Sequence, residues 1–374
     1  MKLITIGLIC AFLYWLQARV YRRNWDNGLS VQVFFDRENM EEGMEGNVVE
    51  VIENRKRLPL PVLKVKFVTS RKLSFSEDKG AKTTDLYYRN DVFCVGSLEK
   101  ITRKVPFVAT KRGYMNIQEI DLVASDLFLT SQYIMTFGTD AYLYVYPKAF
   151  STASLEQALK EVNGEVQTMR HVMEDPFTYR GIRPYQPTDE MRSINWKATA
   201  KERELMVNQK GYTYLRSVRI FLNTEDTGIL KREEAVEVSM QIVMRLANLF
   251  LEQGMPVSIY GNGKDILTDK ELRLEEGAGN GMRSAVQRGL ARIDTQKGVF
   301  AFKELFETEI LDNAAGTYTI FVSPNLYEDF QEVLRGCEER KIPFTLFYPT
   351  EQITGYTLPT ELEARTKVIY TKER

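Results

Sequence analysis

The sequence is poor in the residues from which most metal and redox sites are built. It contains a single histidine, His171, and three cysteines that lie far apart, Cys10, Cys94 and Cys337. One histidine excludes a multi-histidine zinc site, and the cysteine spacing fits neither a metal site nor a disulfide framework. Because no serine or cysteine partner is evident for it, we expect His171 to be structural. The scattered cysteines indicate a reducing compartment.

An excess of charge of either sign is also missing. Fifty basic residues face fifty-one acidic ones, which leaves a formal net charge of -1. A nucleic-acid binder would need an excess of lysine and arginine facing phosphates, so we expect no nucleic-acid partner. With 374 residues, 44% of them hydrophobic and 27% charged, the chain is ordinary globular material and is long enough for two domains.

The amino terminus carries the strongest single signal. Residues 3–20 read "LITIGLICAFLYWLQARV", with Gln17 and Arg19 as the strongly polar members. A helix of this length reaches about 27 Å, which is barely the thickness of a bilayer core. Tyr14 and Trp15 suit the headgroup boundary at its carboxyl side. We therefore predict a transmembrane anchor over residues 1–24, with the lipid bilayer as a partner.

The charges around this run indicate its orientation. Arg19, Arg22 and Arg23 lie on its carboxyl side, against Lys2 on the other. The positive-inside rule then places the large carboxyl-terminal part in the cytoplasm, so that the chain is a single-pass protein of the cell membrane. A cleaved signal peptide is the alternative, although the region before the apolar run is very short and no small-x-small site precedes the arginines.

Two domains of different class follow the anchor. Residues 28–148 contain short runs such as "LPVLKVKFV", in which Val65 and Phe67 alternate with Lys64 and Lys66. Regular short strands with this period-two pattern predict an immunoglobulin-like β-sandwich. In residues 214–374, apolar runs such as "SVRIFLN" alternate with helical stripes, which predicts a doubly wound α/β domain. The fold class is thus all-β plus α/β.

Residues 149–213 lie between these domains. Their first part, "STASLEQALKEVNGEVQTMRHV", predicts a polar linker helix with Ser151 as its cap. In the α/β domain we expect ligands beyond the carboxyl ends of the strands. The candidate loops there are "NTEDTG" at 223–228, "EEGAGNG" at 275–281 and "SPN" at 323–325.

Residues 180–207 follow a pattern that is similar to the signature of the bacterial domain-of-unknown-function fifty-eight family. The matching residues are Arg183, Tyr185, Asp189, Ile194, Trp196, Lys197, Ala198 and Ala200. "KRGYMNI" at 111–117, "SDLF" at 125–128 and "VYP" at 145–147 resemble the segment that precedes that signature. The chain departs from the family at Thr188, where glycine is common, and in having one amino-terminal apolar segment where a pair is usual. The carboxyl half resembles a von Willebrand factor A domain.

This resemblance implies a position for a metal site. The Asp-x-Ser-x-Ser pattern of von Willebrand A domains would fall on Asn223, Glu225 and Thr227, and Ser323 stands where an aspartate is usual. The leading carboxylate is therefore replaced, and an oxygen cage for a hard cation lacks its charge. We expect a degenerate site and no cofactor. The alternative is a magnesium- or manganese-dependent adhesion module or enzyme that uses Glu225 and Asp226 in the loop at 223–227.

The charges of the 180–204 stretch are nearly balanced, which favours mutual pairing over a groove that binds nucleic acid. We predict that Arg183 pairs with Asp189 and that Tyr185 and Trp196 act as apolar pins. Two interpretations of the segment remain open, an interdomain clasp and a surface on which a partner docks. The candidate residues are Arg183, Tyr185, Asp189, Arg192, Trp196 and Lys197. No nucleophile lies beside a base, so no catalytic residue is predicted.

The predicted function is that of a membrane-anchored, non-catalytic scaffold for protein interactions. Members of the resembled family are often encoded beside MoxR-type AAA+ ATPases. The resemblance therefore implies a protein partner of that class and a role in the assembly or maturation of other proteins.

Overall fold

The computed structural model describes residues 2–75, 82–83, 86–172, 174–187, 189–212, 217–226, 232–310, 316–351 and 360–371. The chain divides into two compact units, Met1–Lys148 and Ala149–Arg374.

In the described residues of the first unit, one helix is followed by ten strands. The helix α1 spans Lys2–Asn24. The strands are β1 Leu29–Phe35, β2 Asn39–Glu41, β3 Glu45–Asn54, β4 Leu60–Ser70, β5 Leu73–Phe75, β6 Lys82–Thr83, β7 Leu86–Val95, β8 Lys100–Ala109, β9 Gly113–Ser125 and β10 Gln132–Tyr146. They form a four-stranded sheet in the order β1-β3-β8-β5 and a six-stranded sheet in the order β2-β10-β9-β4-β7-β6.

The two sheets share one hydrophobic core, which confirms the predicted β-sandwich. Val33 and Ile52 from the four-stranded sheet belong to the same buried cluster as Leu63, Val65 and Leu122 from the six-stranded sheet. Apolar and polar residues alternate along each strand, and successive side chains point to opposite faces of a sheet, so each sheet has one apolar face to bury. Among the strand pairs that the structure describes in this unit, β2 with β10 is parallel and the others are antiparallel.

Helix α1 is long and apolar enough to cross a membrane. Within Leu3–Asn24 a window of 18 residues reaches a mean hydropathy of 1.7, and none of that window is buried by the protein. Its carboxyl end is nevertheless attached to the sandwich, because Tyr21 and Trp25 belong to the sandwich core. The Tyr21 hydroxyl donates a hydrogen bond to the Pro59 carbonyl at 2.9 Å. The Trp25 ring stacks on Tyr133 with a centroid separation of 6.1 Å.

The second unit alternates helices and strands. Its elements are α2 Ala153–Val172, β11 Glu174–Pro184, a 3-10 helix Met191–Ser193, α3 Trp196–Glu202, β12 Met206–Tyr212, β13 Ser217–Leu222, α4 Glu233–Glu252, β14 Val257–Asp265, β15 Glu271–Gly277, α5 Gly279–Arg292, β16 Ile293–Val299, α6 Phe302–Ile310, β17 Thr317–Val322, α7 Glu328–Glu339, β18 Phe344–Thr350, α8 Thr360–Glu363 and β19 Thr366–Tyr370.

Its main sheet runs in the order β15-β14-β13-β17-β18-β19, with β14, β13, β17, β18 and β19 parallel. Neighbouring residues of β13 point to opposite faces of the sheet. Ile220 packs in a cluster with residues of α2, α4 and α5, whereas Phe221 packs in another with residues of α6 and α7. Helices therefore cover both faces. The chain order reverses between β13 and β17, which is the topological switch point where such folds place ligands.

Helix α2 differs from the expected linker. Leu155, Leu159, Val162 and Val166 are buried in the same cluster as the β13 residues, so this helix is part of the α/β core. Its cap is also not the expected Ser151. The Thr152 hydroxyl accepts the Leu155 backbone N–H, while Ser151 donates to the Glu156 carboxylate. The side chain of His171, expected to be structural, lies outside the described residues.

The loop at 275–281 is not at the edge of the sheet where we expected it. Strand β15 pairs antiparallel with β14, and Gly277 lies opposite Val257, the first residue of β14. Residues 275–281 are therefore at the amino edge of the parallel strands, whereas Asn223 and Ser323 follow strands at the carboxyl edge. The turn at residues 266–270 reverses the chain direction between β14 and β15. Its residues carry no hydrophobic pattern from which this reversal could be predicted.

Candidate functional site

The segment at residues 181–207 is built on an antiparallel pair of strands. Arg183 of β11 lies opposite Val207 of β12, and Pro184 lies opposite Met206. Ile194, which follows the 3-10 helix, forms a further antiparallel bridge to Val207. Ile194 and Val207 are both buried. The irregular stretch between the strands is therefore folded back and held against β12.

Arg183 and Asp189 form a two-pronged ion pair. The Arg183 Nη1 and Nη2 atoms donate to the two Asp189 carboxylate oxygens at 2.7 and 2.6 Å. The Gln186 backbone N–H donates to the same carboxylate at 2.8 Å. The hydrogen bonds from Arg183, and then from Gln186, lower the pKa of Asp189. This pair closes the loop after β11; Thr188, inside that loop, lies outside the described residues.

The other charged candidates are not joined into the same cluster. Arg192 pairs with Glu190, two residues away, and both side chains are largely exposed. Such an exposed pair contributes little to stability. Lys197 is exposed on α3. Tyr185 is half-buried, and its backbone N–H donates to the Leu205 carbonyl at 2.7 Å.

Helix α3 is short but is fixed at both ends. At its start, the Asn195 side chain accepts the Ala198 backbone N–H at 3.0 Å and donates to the Asn208 side chain at 2.7 Å. At its end, Arg203 adopts a left-handed conformation with φ of 59°, and its N–H bonds to the Thr199 carbonyl. These contacts tie α3 to β12, so its outward side chains are held in a defined orientation.

Trp196, the first residue of α3, was expected to act as an apolar pin within the segment, and its exposure contradicts this expectation. Its side chain is 66% exposed. The position is outside the core because the buried side of the segment is occupied by Ile194 and Val207. Three further large apolar side chains of the segment are exposed, and sequence patterns did not reveal them: Ile182, Met191 and Leu205.

A second candidate lies at the switch point, where β13 and β17 end. The Asn223 Nδ2 atom donates to the Ser323 hydroxyl at 3.1 Å, and its Oδ1 accepts from the Asn262 amide at 2.9 Å. Asn262 Oδ1 accepts the Thr224 backbone N–H at 2.8 Å. The Asn325 amide donates to the Glu225 carbonyl. Asn223, Asn262, Ser323 and Asn325 are all buried.

In this amide network, oxygen atoms that a cation would need as ligands already accept hydrogen bonds. The Asn223 oxygen already accepts two hydrogen bonds, from Asn262 and from the Glu225 backbone N–H. Burial, together with the nearby Asp329, raises the pKa of Glu225, so a negative charge is disfavoured there. Asp226 accepts the Arg232 backbone N–H at 2.6 Å. Thr227, the remaining predicted position, lies outside the described residues.

Within the described part of the chain, no three histidine, cysteine, aspartate or glutamate side chains gather as metal ligands would. Sequence reasoning missed Asn262, which lies within β14, whereas Asn325 belongs to the candidate loop at 323–325. The polar residues "GN" directly after the apolar run "VSIY" were the available signal for Asn262.

Comparison with known proteins adds no family. No family model matches the chain, and no curated protein matches it. Solved structures that share part of its shape include the CARDB domain of a Pyrococcus furiosus protein, at 12% identity over 31% of this chain and 90% of that one, with a TM-score of 0.19. Another is the seventh ScaB type I cohesin from Pseudobacteroides cellulosolvens, at 14% identity over 33% and 95%, with a TM-score of 0.22. At these scores the similarities assign no function.

Proposed function

We propose that this protein is a membrane-anchored, non-catalytic scaffold that binds another protein through its 181–207 segment. Helix α1 is the anchor, and the arginines that follow its apolar run favour a cytoplasmic position for both units. The resemblance of the 180–207 stretch to the domain-of-unknown-function fifty-eight signature, and of the carboxyl half to von Willebrand A domains, suggests a MoxR-type AAA+ ATPase as the partner.

The exposure of Trp196 on a fixed helix is the observation that carries the proposal. An exposed tryptophan supplies a large apolar surface with little side-chain entropy to lose, and tryptophan is enriched among the residues that dominate binding energies. Helix α3 is capped by Asn195 and tied to β12 by hydrogen bonds. A partner would therefore meet a surface that is already ordered, which lowers the cost of binding.

The polar groups of the unit support a role without catalysis. Arg183 and Asp189 satisfy each other's charges. The buried amides at the switch point bond to one another in place of a cation. The alternative of a metal-dependent adhesion module or enzyme would require Asn223 to break this network, at a cost of about 1–3 kcal/mol for each buried polar group left unpaired.

Photo-crosslinking in the native membrane tests the proposal. A photoreactive amino acid at position 197, beside Trp196, is introduced into the full-length chain and activated in cells. We expect one major protein adduct, with an AAA+ ATPase as its other component. Trp196→Ala should reduce the adduct roughly 30-fold, since loss of a dominant contact costs about 2 kcal/mol. The matched control is Leu267→Ala, which truncates an exposed side chain in the β14–β15 turn.

Two outcomes would contradict the proposal. The first is the absence of any adduct at position 197, and the second is an adduct that Trp196→Ala and Leu267→Ala reduce equally. An adduct that contains no ATPase would contradict the proposed identity of the partner, but it would still support the role as a scaffold. Asp189→Lys separates the two interpretations of the segment: a folded variant that loses the adduct indicates docking, whereas an unfolded one indicates a clasp.

A further inference from the structure

The turn between β9 and β10 exposes three consecutive large apolar side chains. Leu127, Phe128 and Leu129 are 53%, 56% and 60% exposed. We call residues 126–131 the apolar turn. Soluble surfaces rarely expose a contiguous apolar patch without a binding role, because its burial elsewhere would be favourable.

The apolar turn is held in shape by a buried carboxylate. Asp126 is fully buried, and its Oδ1 accepts the Thr130 backbone N–H at 2.7 Å. Its Oδ2 accepts the Thr130 hydroxyl at 2.8 Å. Leu129 adopts a left-handed conformation with φ of 58°, which a leucine rarely does. These contacts keep the three apolar side chains exposed at some conformational cost, a sign of a constrained functional surface.

The apolar turn lies against the anchor helix. The Tyr14 hydroxyl donates to the Thr130 hydroxyl at 3.2 Å, and the Tyr14 and Phe128 rings are 6.2 Å apart between centroids. The Gln17 amide donates to Asp126 at 3.2 Å. Three side chains of α1 that touch the sandwich are three or four residues apart and share one face of the helix: Tyr14, Gln17 and Tyr21. Trp25, directly after the helix, continues this contact.

The length of the anchor sets the depth of this contact. From Leu3, which follows the charged Lys2, to Tyr14 a helix rises by about 17 Å. The apolar run over residues 3–20 spans about 27 Å, so Tyr14 lies towards the carboxyl side of the span, where Tyr14 and Trp15 suit the headgroup boundary. The apolar turn, which contacts Tyr14, would therefore meet the lipid at this boundary.

We infer that the apolar turn inserts Leu127, Phe128 and Leu129 into the same bilayer that α1 spans, as a second membrane contact of the sandwich. This rests on the anchoring role proposed above for α1. The polar groups of the apolar turn are compatible with lipid, because the Asp126 carboxylate and the Thr130 hydroxyl form hydrogen bonds within the turn. Two contacts, a helix and a wedge, fix the orientation of the sandwich on the membrane in a way that one helix cannot.

The test is depth-dependent quenching on the full-length chain. Cys10→Ala and Cys94→Ala remove the exposed thiols, and Cys337 is buried. An environment-sensitive dye is attached to a cysteine at position 127, and the protein is reconstituted into phosphatidylcholine and phosphatidylglycerol vesicles that carry a doxyl-labelled lipid. Position 128 is labelled as a second site in the same turn.

Two further positions serve as controls. Position 12, an exposed residue of α1, reports on insertion of the helix. Position 44 carries an exposed methionine directly before β3. The other end of β3, at Asn54, pairs with Leu29, which closely follows the helix, so position 44 lies at the end of the strand far from the anchor.

We expect positions 127 and 128 to lose fluorescence to the doxyl lipid as position 12 does, and position 44 to lose none. Quenching at position 12 without quenching at 127 and 128 would overturn the inference and leave the anchor intact. The absence of quenching at position 12 would overturn the anchor and this inference together.

Discussion

A buried carboxyl group in the sandwich leads us to predict how the unfolding free energy changes with pH. Glu50, on β3, is fully buried and lies near Asp91. Burial, with the nearby Asp91, raises its pKa to about 8 from an ordinary value of 4.5, although Arg103 and Arg89 act in the opposite direction. Glu50 is therefore protonated in the folded protein at pH 7 and ionised in the unfolded chain.

The sign of the pH effect follows from this difference in bound protons. Between pH 4.5 and about 8 the folded protein holds a proton that the unfolded chain has lost, so stability falls as pH rises, by about 1.4 kcal/mol per pH unit. Below this window both states are protonated, and above it both are ionised. At pH 7 the unfolding free energy is therefore lower by roughly 3 kcal/mol than it is below pH 4.5. Glu50→Gln, which mimics the protonated form, should recover most of this difference.

The assay is urea unfolding of the full-length chain in detergent micelles between pH 5 and pH 9. Trp196→Phe leaves Trp15 and Trp25 as the fluorescent reporters, both in the first unit. We expect Glu50→Gln to raise the unfolding free energy at pH 7 and to flatten its fall with pH. Glu45→Gln, at an exposed position of the same strand, is the matched control and should change neither. A Glu50→Gln protein that is destabilised, or that keeps the slope, would refute the reasoning.

Three further predictions concern the second unit. Arg183→Gln and Asp189→Asn should each increase hydrogen exchange in residues 181–207, because either change removes the ion pair that closes the loop; equal exchange in the variants and the wild type would contradict this. Millimolar magnesium or manganese should produce neither binding heat nor a higher melting temperature, since the Asn223 oxygen is already engaged; heat that Asn223→Ala abolishes would show a metal site. Burial raises the pKa of Cys337 to about 12, so a maleimide at pH 7 should label Cys94 and spare Cys337 until the protein unfolds; labelling of the native thiol would count against this packing.

Part of the candidate site could be predicted because it depends on residues that are close in sequence. Arg183 and Asp189 are six residues apart and of opposite charge, so a short loop is enough to bring them together. The exposure of Trp196 could not be predicted in this way. It depends on which side chains fill the space against β12, and Ile194 and Val207 occupy that space.

The sequence alone determined the features that follow from local composition: the apolar helix α1, the alternating strands of the sandwich, and the alternation of helices with buried strands after residue 216. Only the tertiary structure decided which distant residues meet. It placed residues 275–281 at the amino edge of the sheet, buried one face of α2 in the core, and brought the apolar turn to the anchor helix at Tyr14. The physical reason is that hydrophobic periodicity reports which face of an element is buried, whereas strand order and chain reversal depend on packing between segments far apart in the chain.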